Sequence, residues 1–225
     1  MAHPVTLSKT RLLAHAQCAR KLWLSQYRPE LEDPAAVDEA ALARGRLART
    51  RAHQVYGPGQ HIAPERGLRA AIAATRELVA TGGTEPIFDA TFEYAGVTLQ
   101  VDVLDRSRGT LRIVEVKSAT EVKSHHLTDC AIQAWALDGL GLRVADVVIA
   151  HVDSGFIDTG NGDYSRFFIE RNVTREVGKL RTAMGALAAA ARATLEAHNE
   201  PQVPVGPHCR TPHVCPFLAH CGARR

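Results

Sequence analysis

The sequence predicts an α/β protein organised around a mixed sheet, and three observations carry that prediction. Residues 87–94, 97–104 and 111–117 are short runs rich in β-branched and aromatic side chains. They are separated only by Ala95 and Gly96 and by residues 106–109, turns short enough to join antiparallel neighbours in a meander. A helical stretch then precedes two further strand-like runs, so the order is helices, three strands, a helix, two strands, a helix and a small tail. That order fits helices packed on a mixed sheet better than a doubly wound parallel one.

Each element has its own signal. In residues 8–26, Leu12, Leu13, Ala16, Ala19, Leu22 and Trp23 recur at helical spacing, and Pro29 and Pro34 then break the chain. Residues 38–56 are rich in alanine and arginine and end at the sequence YGPG, which predicts a second helix. A third covers residues 65–80 and closes at Gly82 and Gly83. After the meander, residues 121–140 place Leu127, Ala131, Ala134 and Leu137 on one stripe, with Gly139 and Gly141 as the stop. Residues 145–152 predict a central buried strand and residues 164–170 another. Val173, Val177, Leu180, Met184, Leu187 and Leu195 predict one long final helix. PQVPVGP, from Pro201 to Pro207, leads into a tail rich in cysteine and histidine.

The 225 residues suit one domain, with a core at about 84–170 and special roles for the ends at 8–26 and 200–225. A net charge of +3 excludes a nucleic-acid binder that acts through overall basicity, and leaves local patches such as Arg44, Arg46, Arg49 and Arg51. That patch reads equally as a solvated helix face. No apolar run is long enough to span a membrane and no secretory signal stands near Met1, so a cytoplasmic protein is the expectation. In that compartment the five cysteines are not expected to form structural disulfides.

The chemistry concentrates on the meander. Asp102 lies between Val101 and Val103, where an unpaired charge is costly, whereas Asp105 is placed to start the following turn. Glu115 and Lys117, two apart in IVEVK, face the same way on the next strand. Two carboxylates on neighbouring strands can hold Mg²⁺ or Mn²⁺ through hard oxygen donors, and a lysine beside them can orient an attacking water. A structural Glu–Lys pair is the competing reading of the same residues.

Cys209, Cys215 and Cys221 form C-x5-C-x5-C in the tail, and Cys18 lies far away near the start. Three regularly spaced thiols in a segment with little core of its own suggest a soft-metal site, which Cys18 completes if the chain ends meet. Zinc is the alternative, with His208, His213 and His220 close by, although the usual C-x2–4-C pairs are missing. Cys130, beside Leu127 and Ala131, reads as a small core residue.

Taken together, Asp102 on one strand, Glu115-Val116-Lys117 on the next and Gln133 on the following helix resemble the PD-(D/E)XK nuclease superfamily and its RecB-like branch. LSKTRLLAHAQCARKLWL at the start and GPHCRTPHVCPFLAHC at the end are similar to the iron–sulfur subset of that branch, which includes CRISPR-associated exonucleases and AddB-type recombination nucleases. The similarity runs over nearly the whole chain and is closest to a bacterial family of unassigned role whose members often carry a second domain. The resemblance implies a restriction-endonuclease-like core in which Asp102, Glu115 and the Val116 carbonyl hold the metal. Lys117 is then the catalytic lysine and Gln133 the helix glutamine. It also implies a [4Fe–4S] cluster on Cys18, Cys209, Cys215 and Cys221, joining the N-terminal helix to the C-terminal tail.

Three positions depart from the pattern. Leu137 stands where the branch often has tyrosine. Arg49 stands four residues after Gly45, where a metal-binding histidine is usual, and His53, one turn further along on the same face, reads equally as a substitute ligand or as an ordinary surface histidine. The late cysteines are spaced C-x5-C-x5-C rather than C-x2-C-x5-C.

The expected function is a divalent-metal-dependent DNA nuclease, an exonuclease on single-stranded ends. Arg44, Arg46 and Arg49 are candidate phosphate contacts, and Trp23 and Trp135 are candidate stacking surfaces whose ordinary fate is core packing. The alternatives are a catalytically silent nucleic-acid-binding or assembly subunit and a zinc-stapled interaction module.

Overall fold

The computed structural model describes residues 6–223, which divide into two compact units, one of residues 6–39 with 183–223 and one of residues 40–182. The first unit contains a two-residue strand β1 (Leu7–Ser8), helices α1 (Lys9–Gln17) and α2 (Ala19–Tyr27), and, from the far end of the chain, α7 (Met184–Glu196) and α8 (Leu218–Ala223). The second contains α3 (Glu39–Val55), α4 (Leu68–Ala80), α5 (Ser124–Gly139), α6 (Thr174–Arg181) and strands β2 (Gln60–His61), β3 (Ile87–Tyr94), β4 (Val97–Asp105), β5 (Leu111–Lys117), β6 (Val144–Val152) and β7 (Phe168–Asn172). None of the described helices is long and apolar enough to cross a membrane.

In the second unit the strand order is β2-β3-β4-β5-β6-β7. The pairs β3–β4, β4–β5 and β6–β7 are antiparallel, whereas β2–β3 and β5–β6 are parallel. The fold is therefore mixed α/β. The meander forms as its short turns require, and α5 supplies the crossover that a parallel β5–β6 pair needs. Register aligns Phe88, Val103, Val114 and Val148 in a row across four strands. With Ala52 of α3 and Ala150 they form a fully apolar cluster, against which Tyr56, Val116 and Phe168 pack. Because strand side chains alternate, this row fixes Glu115 on the opposite side, toward α5.

Several expected boundaries move. The strand expected at residues 164–170 is Phe168–Asn172, because residues 153–167 instead make a loop of Asx turns and packed aromatic rings. The expected helix 65–80 begins only at Leu68, after Gly67 adopts φ 86°. The long final helix is two helices, with the break at Thr182 and Ala183. Gly139 does more than stop α5: a Cβ there would run into the ring of Tyr94.

The single helix expected over residues 8–26 is also two. Cys18 is extended, with φ −167° and ψ 123°, and serves as the end of α1 and the start of α2. The break sacrifices few hydrogen bonds, since the Cys18 N–H donates to the Ala14 carbonyl at 2.9 Å and the Cys18 carbonyl accepts from Leu22 N–H at 3.2 Å. The three helices α1, α2 and α7 pack through buried Leu12, Leu22, Ala188, Ala191 and Leu195. Trp23 donates its indole N–H to the Ala197 carbonyl at 3.0 Å, which makes it part of this unit's packing.

A buried ion network stiffens the sheet of the second unit. Arg112 of β5 is 5% exposed and donates to Asp105 at 2.6 Å and to Glu170 of β7 at 2.8 Å. Burial alone would raise the Asp105 pKa, but hydrogen bonds from Ser107 and the Arg112 charge outweigh it and hold the carboxyl below its ordinary range. Arg112→Ala leaves that carboxylate buried without its partner, and is expected to cost about 3–5 kcal/mol in urea unfolding at neutral pH. Because the folded Asp105 pKa is depressed, the wild-type contribution is fully present above the ordinary carboxylate pKa. It fades as pH falls through the folded value, so the gap between the proteins should narrow in acid. A loss below about 1 kcal/mol would mean that the network is not what stiffens the sheet.

Candidate functional site

The site lies in the second unit, where β4 and β5 part. The β4–β5 ladder ends at Val103 and Val114, so Asp102 and Glu115 come next in register without a paired ladder bond. The Asp102 carboxylate occupies the opening and accepts the Val116 N–H at 2.9 Å. Both acids are buried, at 5% and 3% exposure. Lys117 donates to Glu115 at 2.6 Å and equally to Asp129 of α5 at 2.6 Å. Gln133, one helical turn after Asp129, donates to the other oxygen of Glu115 at 2.6 Å and to Asp129 at 3.3 Å. Asp102, Glu115, Lys117 and Gln133 are thus gathered by two strands and one helix face.

Asp129 is a member of this group that the sequence pattern does not single out. Its signal is positional, since Asp129 and Gln133 are spaced i, i+4 on an otherwise apolar helix and must share a face. The electrostatics follow from the geometry. Burial would lower the Lys117 pKa, but the Glu115 and Asp129 carboxylates outweigh it and keep the ammonium charged well above its ordinary range. The neighbouring His126 is driven the other way, down to about 3, by burial and then by the Lys117 charge. It is therefore neutral, and its Nδ1 accepts from the Lys123 N–H at 3.2 Å.

On the other side of Asp102, Arg49 of α3 donates to it at 3.1 Å, and the Arg49 Nε lies 4.0 Å from Asp89 of β3. His53, one turn along α3, places Nε2 4.0 Å from Asp89. Its ring packs edge-on against His61 at 4.5 Å and is tilted against Phe88 at 4.6 Å. Burial, then the charges of His61 and Arg49, lower the His53 pKa, so the ring is neutral and able to act as a lone-pair donor. Asp89 is the second residue the sequence did not mark. Burial raises its pKa against the opposing pull of Arg49. Its φ of 57° is left-handed, and nothing in IFDATF announces it.

A groove of about 340 Å³ opens beside these groups, with Ala41, Gly45, Arg46 and Arg49 of α3 on one wall and Asp102, Glu115, Val116 and Lys117 on the other. The arginine patch divides accordingly. Arg46 and Arg49 face the groove, while Arg51 stacks at 3.6 Å over the Tyr164 ring and lies 3.8 Å from Asp158. Trp135 packs edge-on against Tyr94 at 5.0 Å and is not part of this wall.

The cysteines belong to the first unit, apart from Cys130, which is fully buried in α5. Cys209 and Cys215 are buried with Leu24 and Phe217, and Cys221, Trp23 and Leu218 pack against them. The Cys215 thiol is within electrostatic reach of Cys18 and Cys209, and the Cys221 thiol is within reach of all three others. Burial raises the pKa of both Cys215 and Cys221. Gln17 ties the tail to α1 by donating to the His208 and His213 carbonyls at 2.8 and 2.7 Å. Asp33 N–H donates to the Pro216 carbonyl at 2.9 Å. Among the described residues, no three histidine, cysteine, aspartate or glutamate side chains already stand in a metal-binding arrangement.

No family model and no curated protein matches this chain. A solved structure described as the crystal structure of SSO0001 is similar, with a TM-score of 0.46 and 15% identity over 100% of this chain and 90% of that one. The fold and the site define the chain as a mixed α/β protein with a buried Asp–Glu–Lys–Gln constellation at the floor of a groove.

Proposed function

We propose that the chain is a divalent-metal-dependent deoxyribonuclease of the RecB-like PD-(D/E)XK kind, acting on single-stranded DNA ends, with a structural [4Fe–4S] cluster on its four gathered cysteines. The observation that carries this reading is the setting of Lys117. It is held between two buried carboxylates at 2.6 Å each, beside a groove whose facing wall carries Arg46 and Arg49. A structural ion pair needs one partner, whereas here each oxygen of Glu115 is fixed by a different donor.

The residues fit the implied groups. Asp102, Glu115, the Val116 carbonyl and His53 are the hard-oxygen and imidazole donors that Mg²⁺ or Mn²⁺ accepts. The His53 Nε2 and Gln133 Oε1 atoms are both buried without a hydrogen-bond partner among the described residues. When bound, the metal supplies a water of lowered pKa and neutralises charge on the phosphoryl group. The chain's own residues do the remaining work. Lys117, kept protonated, donates from Nζ toward an anionic oxygen at the groove floor and orients it. Gln133 and Asp129 hold Glu115 and Lys117 in place. Arg46 offers a guanidinium to the phosphates of a strand lying in the groove.

For the cysteine site, the convergence of Cys18, Cys209, Cys215 and Cys221 supports a four-thiolate cluster. One contact favours zinc instead: the His208 Nε2 lies 3.5 Å from the Cys209 sulfur. Visible absorption and stoichiometric iron after anaerobic purification are expected; a colourless protein with one zinc would overturn the cluster.

The activity is tested with end-labelled single- and double-stranded DNA in Mn²⁺, Mg²⁺ and EDTA. Degradation of single strands in either metal, stopped by EDTA, is the expected result. DNA binding without cleavage in both metals would replace the nuclease with a silent nucleic-acid-binding subunit.

A further inference from the structure

The α3 side of Asp102 holds charges that the arrangement around Lys117 does not use. Asp89 lies between the paired positions Phe88–Val103 and Ala90–Val101, so Asp102 is the residue that register sets against it, although the two do not form a ladder pair. Like charges directly across a sheet repel, and a left-handed aspartate at φ 57° adds backbone strain. Neither is needed to complete the sheet, because the pairs on both sides are regular. Arg49 answers the repulsion, 3.1 Å from Asp102 and 4.0 Å from Asp89. The His53 Nε2 faces the same Asp89 carboxylate at 4.0 Å and has no hydrogen-bond partner among the described residues. Two carboxylates therefore share the Arg49 guanidinium, and an unpartnered imidazole nitrogen faces one of them.

We propose that Asp89, Asp102 and His53 form a divalent-cation seat in which Arg49 is the resident counter-ion, displaced when the ion binds. The donor set is two oxygens and one nitrogen, which suits Mn²⁺ or Mg²⁺ rather than a soft metal. Arg49 has room to leave, since its side chain is 51% exposed and lines the groove beside Arg46. Ion loading thus transfers a guanidinium from a carboxylate pair to the groove wall, where it meets a phosphate. This functional consequence rests on the nuclease reading, but the seat itself stands on the geometry of β3, β4 and α3. Asp89 enters as an additional ligand, and Arg49 enters as a competitor of the metal rather than a ligand.

The test is Mn²⁺ binding to the full-length protein without DNA, followed by the electron-spin-resonance signal of free Mn²⁺ and by calorimetry. Arg49→Ala is an exposed helix substitution to the best helix former, so the fold should survive it. It is expected to bind Mn²⁺ on the order of tenfold more tightly than wild type, because the ion no longer competes with a resident charge. Asp89→Asn keeps a residue type that tolerates the left-handed conformation and is expected to bind on the order of tenfold more weakly. Circular dichroism melts without metal verify that both variants are folded, and Arg49→Ala should show the larger rise in melting temperature on adding Mn²⁺. Unchanged or weaker binding by Arg49→Ala would overturn the counter-ion, and unchanged binding by folded Asp89→Asn would overturn the seat. Glu115→Gln separates this proposal from the nuclease reading. If Glu115→Gln weakens Mn²⁺ binding while Asp89→Asn does not, only the seat falls. If neither protein nor variant binds Mn²⁺, both fall.

Discussion

Lys117→Ala is expected to lower metal-dependent DNA cleavage by about 10²–10⁴-fold, the usual range for losing a positioned proton-transfer or orienting group. The same substitution should also weaken the fold, because Glu115 and Asp129 lie 3% and 5% exposed and would lose the ammonium that both share. Breaking a buried pair by removing one partner costs about 3–5 kcal/mol. The sign of the pH dependence separates this from a packing defect. In the wild type the folded Lys117 pKa is raised, so its contribution is complete below the ordinary lysine pKa and is lost only as pH rises through the folded value. Across neutral and acidic pH the wild-type term is therefore constant. The variant instead carries two uncompensated carboxylates, which acid relieves by protonating one of them. Its stability deficit should be greatest at neutral pH and smaller near pH 5. Urea unfolding at the two pH values measures the deficit, and a single-strand degradation assay measures the activity. Cleavage at the wild-type rate by a folded Lys117→Ala protein would remove Lys117 from the chemistry.

What the sequence made legible is what local pattern determines. The meander was readable because β-branched runs and short turns leave few other solutions, and strand alternation then put Glu115 and Lys117 on one side. Gln133 was readable from its place on the helix that follows. Asp129 was not, although it binds the same lysine, because an aspartate on a helix looks like any solvated residue until the helix is laid on the strand. Asp89 was less legible still. Its importance comes from facing Asp102 across β3 and β4, and from a left-handed backbone that no neighbouring glycine signals. The break at Cys18 was hidden for a similar reason. Residues on both sides are good helix formers, and the extended residue between them keeps both its backbone hydrogen bonds, so nothing in local propensity opposes either outcome. Arg49 stands out in the sequence as a candidate phosphate contact and as a departure from the histidine expected there. Its link to Asp102 depends on where α3 lies on the sheet, which the sequence does not state.

If Cys18, Cys209, Cys215 and Cys221 hold the proposed metal, its loss is expected to release the tail of the first unit. Residues 201–217 contain only one short 3₁₀ turn, Pro207–Cys209, and bury little apolar surface of their own beyond Phe217. A fully buried phenylalanine contributes roughly 1.5–3 kcal/mol, while fixing each backbone residue costs about 1–2 kcal/mol. Side-chain packing is therefore a poor candidate for holding the segment by itself. Backbone ties through Gln17 and Asp33 help, but they are ordinary hydrogen bonds, each of about 1 kcal/mol net. A structural metal, at about 10 kcal/mol or more, is on the scale required. Cys18→Ser and Cys215→Ser should each lose the metal and its absorption, and limited proteolysis should then cut between residues 197 and 217. The effect should depend on pH as well. Burial raises the Cys215 and Cys221 pKa values, so these thiols must give up protons to bind, and metal retention should strengthen as pH rises. The Mn²⁺ binding proposed for Asp102 and Glu115 uses none of these cysteines, which makes it the internal control for a protein that is still folded. A Cys18→Ser protein that keeps both its metal and its protease resistance would remove Cys18 from the site and leave the three tail thiols to be completed by His208.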